Sequence, residues 1–240
     1  MRLDQLLAAR GLFASREQAR RAVMAGEVRV AGQVVDKPGT AVAEDAALEV
    51  TARPPFVSRA GLKLAAALDH FQVDATGRVC LDVGASTGGF TDCLLQRGAA
   101  RVYALDVGRG QLEWRLRQDS RVVPMEGINA RYLAADALPE PCDLVTVDVS
   151  FISLLKVVPA LVPHLRPGGH LLVLVKPQFE AGRGAVGKGG IVRDEAVRRR
   201  VIDERVKQLA ELGLESCGVI DSPLPGAEGN VEALALFRRP

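Results

Sequence analysis

The chain has 240 residues, enough for one large α/β domain and a small companion, and its 48% hydrophobic content is ordinary, with few aromatics. Its 31 Lys and Arg nearly cancel its 29 Asp and Glu, so any nucleic-acid footprint must come from local clustering rather than bulk charge. No apolar run approaches the ~20 residues of a spanning helix and Met1-Arg2-Leu3-Asp4 lacks a secretory core, which argues for a cytoplasmic protein.

Leu3, Leu6 and Leu7 recur at helical spacing and Gly11 stops the run. A second helix opens at Ser15, where Gln18 completes a capping box ahead of Ala19, Ala22 and Val23, and Gly26 ends it. Val28-Arg29-Val30 and Val34-Val35 flank a turn at Ala31-Gly32, and a last strand surrounds Leu48-Glu49-Val50. Residues 1–51 therefore read as a small α+β module. On its second helix Arg16, Arg20 and Arg21 form a cationic stripe away from the apolar side, with Arg29 and Lys37 nearby, as phosphate positioning would require.

Pro54-Pro55 mark residues 52–57 as an extended spacer. From 58 to 240 helices alternate with strands: helix 60–70, strand 79–83, helix 88–97, strand 101–106, a short helix near 111–117, and strands 121–125 and 143–148. Helix 153–164, strand 170–175, helix 194–212 and strands 214–221 and 231–238 follow. This pattern predicts a doubly wound, Rossmann-like sheet of seven strands, closed by a hairpin that makes one edge strand antiparallel. Cys80, Cys93, Cys142 and Cys217 form no Cys-x-x-Cys pair and have no histidine at ligand spacing, so we expect reduced, packed thiols and no metal site.

The first strand of that sheet breaks into Asp82-Val83-Gly84-Ala85-Ser86-Thr87-Gly88-Gly89-Phe90. Glycines after the first strand let backbone approach a ligand, and the following helix offers free amides. Gly-x-x-x-Gly-Gly departs from the dinucleotide fingerprint, and Asp82 suits a cationic amino-acid end better than a pyrophosphate, so S-adenosylmethionine fits better than NAD. Asp106 ends the next strand, 24 residues on, where a carboxylate can take both ribose hydroxyls. Glu126 and Asn129 fall where an adenine edge would lie, Asn129 through its amide being the better candidate.

Asp148 and Lys176 end two successive apolar strands and so meet the carboxyl edge of the sheet beside that cofactor. Burying an ammonium there is costly unless it is paired, which favours a functional pair over a packing accident.

The whole chain resembles the TlyA (hemolysin A) family of FtsJ-like ribosomal RNA 2′-O-methyltransferases, which carry an N-terminal alpha-L RNA-binding motif. Ser58-Arg59-Ala60-Gly61-Leu62-Lys63-Leu64, the glycine turn through Thr91-Asp92, Asp148-Val149-Ser150-Phe151-Ile152-Ser153-Leu154, Lys176-Pro177-Gln178-Phe179-Glu180 and Gly229-Asn230-Val231-Glu232 match its motifs in order. The resemblance implies a Lys-Asp-Lys-Glu tetrad on Lys63, Asp148, Lys176 and Glu232, members that spacing alone would never join. It also implies cytidine as the target. A lysine beside a second cation can act as base on a ribose hydroxyl, a role assigned to Lys176 with Lys63 as neighbour, while Asp148 and Glu232 hold the two ammonium groups. Ala60 replaces a glycine common in relatives, and small side chains follow Glu232, which leaves substrate choice open.

Between Phe179 and Arg193 runs a glycine-rich loop in which Arg183, Lys188 and Arg193 would grip phosphates, with Arg53 and Arg59 extending that surface. Arg198-Arg199-Arg200 read as solvated charges on the next helix. The partner implied is ribosomal RNA or a ribosomal subunit. Two other classes remain: a membrane-active hemolysin, opposed by the lack of a spanning segment or an aromatic-anchored cationic helix, and a non-catalytic RNA-binding assembly factor.

Overall fold

Apolar strands alternating with helices beyond residue 60 build a single seven-stranded sheet, seen in a computed structural model that describes residues 1–24, 26–51, 55–182, 187, 189–226 and 229–240. The chain divides into two compact units, Met1–Pro55 and Phe56–Pro240. Arg53, in the expected spacer, and Arg183 and Lys188, in the glycine-rich loop, lie outside the described residues.

In the first unit α1 (Leu3–Ala9) and α2 (Arg16–Met24) precede β1 (Val28–Val30), β2 (Gln33–Val34) and β3 (Leu48–Val50). Leu3 and Leu7 of α1 meet Ala19, Ala22 and Val23 of α2 and Val28 of β1, so the apolar stripe read from the sequence is the core of this unit. The three strands form an antiparallel sheet in the order β2-β1-β3. The backbone N–H of Gln18 donates to Ser15 Oγ at 3.2 Å, the serine half of the expected capping box.

The second unit contains α3 (Ala60–Phe71), β4 (Val79–Val83), α4 (Gly89–Gln96), β5 (Arg101–Asp106), α5 (Trp114–Arg117), β6 (Val122–Glu126), β7 (Cys142–Val147) and α6 (Leu154–Leu161). It continues with β8 (Leu165–Val175), α7 (Pro177–Glu180), α8 (Glu195–Ala210), β9 (Glu215–Asp221) and β10 (Ala233–Arg238). The sheet order is β6-β5-β4-β7-β8-β10-β9, with parallel pairing from β6 to β8. The expected hairpin closes one edge, and its antiparallel member is β10, one place in from the outermost β9. β8 also begins earlier than the sequence suggests: Leu165 pairs with Cys142 across a register shift that absorbs Pro167-Gly168-Gly169.

Strand order reverses between β4 and β7, which opens a crevice at their carboxyl ends, and the glycine turn lies there. Gly84 has φ +85°, and a Cβ on it would sit 2.3 Å from the backbone oxygen of Asp148. Gly84→Ala must therefore push apart the two strand ends that frame the crevice. We expect it to weaken S-adenosylmethionine binding at least tenfold by calorimetry, since backbone strain and displacement act together. An unchanged dissociation constant would refute that geometry.

Candidate active site

The two strand ends bring the predicted pair together. Lys176, which caps α7 directly after β8, places Nζ 2.7 Å from Asp148 Oδ1. The same Nζ donates a hydrogen bond to Ser150 Oγ at 2.9 Å. A second pair forms behind it: Lys63, in the first turns of α3, donates to Glu232 Oε2 at 2.5 Å. Both partners are buried, with relative exposures of 8% and 2%. Glu232 reaches the site because β10 runs antiparallel: Ala233 pairs with Val175, so the residue before each strand pairing step, Glu232, lies beside Lys176 at the same sheet edge.

Lys63, Asp148, Ser150 and Lys176 line a polar cavity of about 340 Å³ together with the turn residues Gly84, Ser86, Thr87, Gly89 and Phe90 and with Arg59. An adjoining cavity of about 400 Å³ shares Gly84, Ser86, Asp148 and Ser150 and is lined by apolar Val83, Leu105, Ile128 and Ile152, with Asp106 and Asn129 among them. A polar compartment for an amino-acid end next to an apolar one for a base, with a carboxylate at Asp106, fits the two chemical halves of an adenosyl amino acid. Asp106 already accepts the backbone N–H of Ser86 at 2.8 Å and of Gly108 at 2.7 Å, which fixes its rotamer and leaves each oxygen a lone pair for a hydroxyl. Asn129 spends its oxygen on capping Arg131 N–H at 3.0 Å, so its NH₂ is the group left for a base edge.

Comparison with known proteins bears directly on this pocket, for residues 56–239 match the family described as FtsJ-like methyltransferase. The chain belongs to that family. Its first unit matches the S4 domain over residues 1–48. This FtsJ-like methyltransferase uses S-adenosylmethionine as methyl donor. It is 50% identical over 239 residues to the 16S/23S rRNA (cytidine-2′-O)-methyltransferase TlyA of Mycobacterium tuberculosis, covering 99% of this chain and 89% of the relative. It is 42% identical to Hemolysin A of Brachyspira hyodysenteriae over 99% of both. A solved Streptococcus thermophilus chain, provisionally named a hemolysin, superposes with a TM-score of 0.77 at 44% identity, over 100% of this chain and 88% of that one.

Two expected site residues, Asp82 and Gly88, and the weaker adenine candidate Glu126 line neither cavity. Asp82 has no exposed surface and lines neither cavity; it accepts Thr91 Oγ1–H at 2.7 Å and Thr146 Oγ1–H at 3.2 Å, tying α4 to β7. Alternation explains this, since its neighbour Val83 takes the cavity side of β4. Gly88, at φ +97°, lines neither cavity, and a Cβ on it would strike Leu116 Cδ1 of α5 at 2.3 Å, so packing against α5 already demands a glycine here. Glu126 is engaged by Arg117 and by the Gly110 N–H at 3.0 Å and lines neither cavity.

Burial pushes the Asp82 carboxyl up to about 7, with the Asp148 charge adding to it and the two threonine hydroxyls pulling back. Its native value then lies above the ordinary 3.8, so the folded state holds a proton that the unfolded chain releases, and stability falls as pH rises from about 4 to about 7. Asp82→Asn removes that charge while keeping an acceptor for a threonine. We expect its stability advantage over wild type to grow between pH 5 and pH 8, reaching on the order of 1–3 kcal/mol. Parallel unfolding curves for the two proteins across that range would refute it.

Among the basic residues expected to meet RNA, Arg16 donates to buried Asp4 at 2.9 Å, Arg21 pairs with Glu17 at 3.5 Å, and Arg16 and Arg20 share a groove with Arg2 and Lys37. Arg193 is exposed and Arg59 lines the polar cavity. Arg198, expected in solvent, is instead buried against Asp221 at 2.7 Å. Cys80, Cys93 and Cys142 are packed thiols, whereas Cys217 is exposed on the outermost strand. Among the described residues no group of three or more His, Cys, Asp or Glu gathers as a ligand set, and no helix is long and apolar enough to cross a membrane.

Sequence reasoning passed over Ser150 and Glu180. Glu180 accepts Ser153 Oγ–H and the Leu154 N–H, both at 2.7 Å, and pairs with Arg205 of α8 at 2.7 Å. It thereby locks the loop after Asp148 to α7, the helix that Lys176 caps. Phe151 in that loop, 90% exposed, is held at φ +64° with its ring centroid 5.0 Å from that of Phe179, a left-handed backbone that costs a bulky residue ~1–3 kcal/mol. Ser150 and Glu180 both lie inside motifs that carry the family resemblance, but nothing in the residue pattern alone gave either a role of its own.

Proposed function

We propose that this methyltransferase acts on the ribose 2′-oxygen of cytidine in ribosomal RNA, in the cytoplasm where that substrate lies, with Lys63, Asp148, Lys176 and Glu232 as its reacting group. The observation behind this reading is that Lys63, Asp148 and Lys176, from three distant segments, line one polar cavity beside the glycine turn, with Glu232 paired to Lys63 and Asp148 to Lys176. The M. tuberculosis relative is named for this chemistry.

When bound, S-adenosylmethionine supplies an electrophilic methyl group. Ser86, Thr87, Gly89 and Phe90 line the compartment that suits its amino-acid end, while Asp106 and Asn129 line the one that suits its nucleoside. Lys176 would take the proton of the 2′-hydroxyl as that oxygen gains its methyl group, so that O–H and the donor's S–CH₃ bond give way to N–H on Nζ and O–CH₃, which leaves the donor's sulfur as a neutral thioether. Asp148 holds the resulting ammonium at 2.7 Å. Lys63, fixed by Glu232, adds positive charge along the cavity wall where the oxygen becomes negative. Arg59 and Arg193 position phosphates, joined by Arg183 and Lys188 of the loop and by Arg16, Arg20 and Arg21 of the S4 unit. A ribose in folded RNA must leave its stack to reach a cavity of this kind.

The test is incubation of the protein with labelled S-adenosylmethionine and ribosomal particles from cells lacking it, followed by mapping of ribose methylation. Label on a 2′-oxygen of cytidine is expected. Label on a base, on protein or on DNA alone would overturn the proposal.

A further inference from the structure

We infer that Ser150 is a positioning residue that orients the Lys176 amine toward the reacting oxygen, an inference resting on the function just proposed. Asp148 approaches Lys176 Nζ at 2.7 Å, yet its Oδ1 lies outside hydrogen-bond geometry, so the carboxylate supplies charge without direction. The directed bond at Nζ is the one to Ser150 Oγ at 2.9 Å, and among the described residues it has no other. An amine on a four-carbon stem turns freely about its last bond unless an acceptor fixes one N–H. With one N–H on Ser150 and the charge of Asp148 beside it, the remaining valence of Nζ faces the polar cavity that Lys176 lines. In the neutral amine that valence is the lone pair that accepts the ribose proton.

Three further observations place Ser150 in this role. It lines both cavities, at the junction also marked by Gly84, Ser86 and Asp148, where the two halves of the donor site meet. Its own hydroxyl hydrogen is uncommitted among the described residues, so accepting from Lys176 conflicts with no other bond. The loop that carries it is over-determined: Glu180 anchors Ser153 and Leu154 from α7, the helix that Lys176 caps, and the residue after Ser150 sits at φ +64°. Serine and lysine are thus kept in register by contacts that involve neither.

The experiment compares wild type with Ser150→Ala and Ser150→Thr, alone and in a Lys176→Ala background. Ser150→Ala should lower kcat roughly 10- to 100-fold, as expected for a misaimed base, with KM for donor and RNA held within about twofold. Ser150→Thr, which keeps the β-hydroxyl, should recover most of that rate, and Ser150→Ala should cost nothing more once Lys176 is gone. An independent readout needs neither donor nor RNA: the ¹⁵N side-chain signal of the Lys176 ammonium, assigned by its loss in Lys176→Ala, should be protected from solvent exchange in wild type and Ser150→Thr and broadened in Ser150→Ala. Equal protection in Ser150→Ala, or a wild-type kcat for it, would overturn the inference. Intact protection in wild type with no RNA methylation would overturn the function and leave the orientation standing.

Discussion

Lys176→Ala is expected to lower the rate of methyl transfer by ~10²–10⁴-fold while leaving S-adenosylmethionine affinity within about twofold of wild type. The separation follows from position. Lys176 lines the polar cavity through its ammonium, but the elements that suit the nucleoside, Asp106, Asn129 and the apolar wall, belong to the adjoining cavity and do not touch it. Removing the ammonium leaves Asp148 without its partner at 2.7 Å, so thermal unfolding must be followed in parallel to show that the pocket persists. Lys176→Arg distinguishes two roles for the charge. Guanidinium keeps the cation but does not give up its proton in proteins, so a base at this position fails as arginine, whereas a purely electrostatic group retains much of its effect. Rapid transfer by Lys176→Arg would assign the proton to another acceptor, and weakened donor binding in Lys176→Ala would move the lysine from the chemistry to the binding step.

The parts of this site that could be read in the sequence are those governed by one strand at a time. Asp106, Asp148 and Lys176 each end an apolar run, and in a parallel sheet all such ends share one edge, so their convergence follows from the element pattern alone. Asp82, inside β4, is buried and lines neither cavity: within a strand the side-chain direction alternates, and whether a residue faces the crevice or the packed side depends on where the turn begins. Gly88 shows the ambiguity of such a signal, because a glycine is equally demanded by a ligand and by a neighbouring helix, and here Leu112 and Leu116 take the space a side chain would need. Lys63 and Glu232 lay beyond the reach of spacing for a topological reason. Glu232 precedes a strand that enters the sheet in reverse between β8 and β9, so its place at the carboxyl edge depends on strand order, a property of the whole domain. Their assignment came from family resemblance, and the geometry supplies the physical account afterward. The S4 unit was legible as helices and hairpin, but its arginine stripe was too simple a picture, since Asp4, 1% exposed, draws Arg16 and Arg2 into ion pairs and is held below the usual carboxylate range chiefly by Arg2.

The second large effect is expected at the buried pair. Glu232→Gln strands the Lys63 ammonium, and Lys63→Met strands the Glu232 carboxylate, in surroundings where the two are 8% and 2% exposed and 2.5 Å apart. Each single change should cost ~3–5 kcal/mol, because the charge left behind has lost its water and its counter-ion. In a domain of this size that lowers the unfolding midpoint by roughly 10 °C. The double variant Lys63→Met/Glu232→Gln leaves no charge uncompensated, and its stability should recover a large part of the single-variant loss, since a neutral amide is far less costly to bury than a lone charge. Methyl transfer should not return with it. A pair that proves dispensable for folding yet required for turnover would be one kept for its field at the cavity wall that Lys63 lines. Stability losses that simply add in the double variant would show that the two side chains are not energetically coupled, and recovery of activity together with stability would remove both from the chemistry.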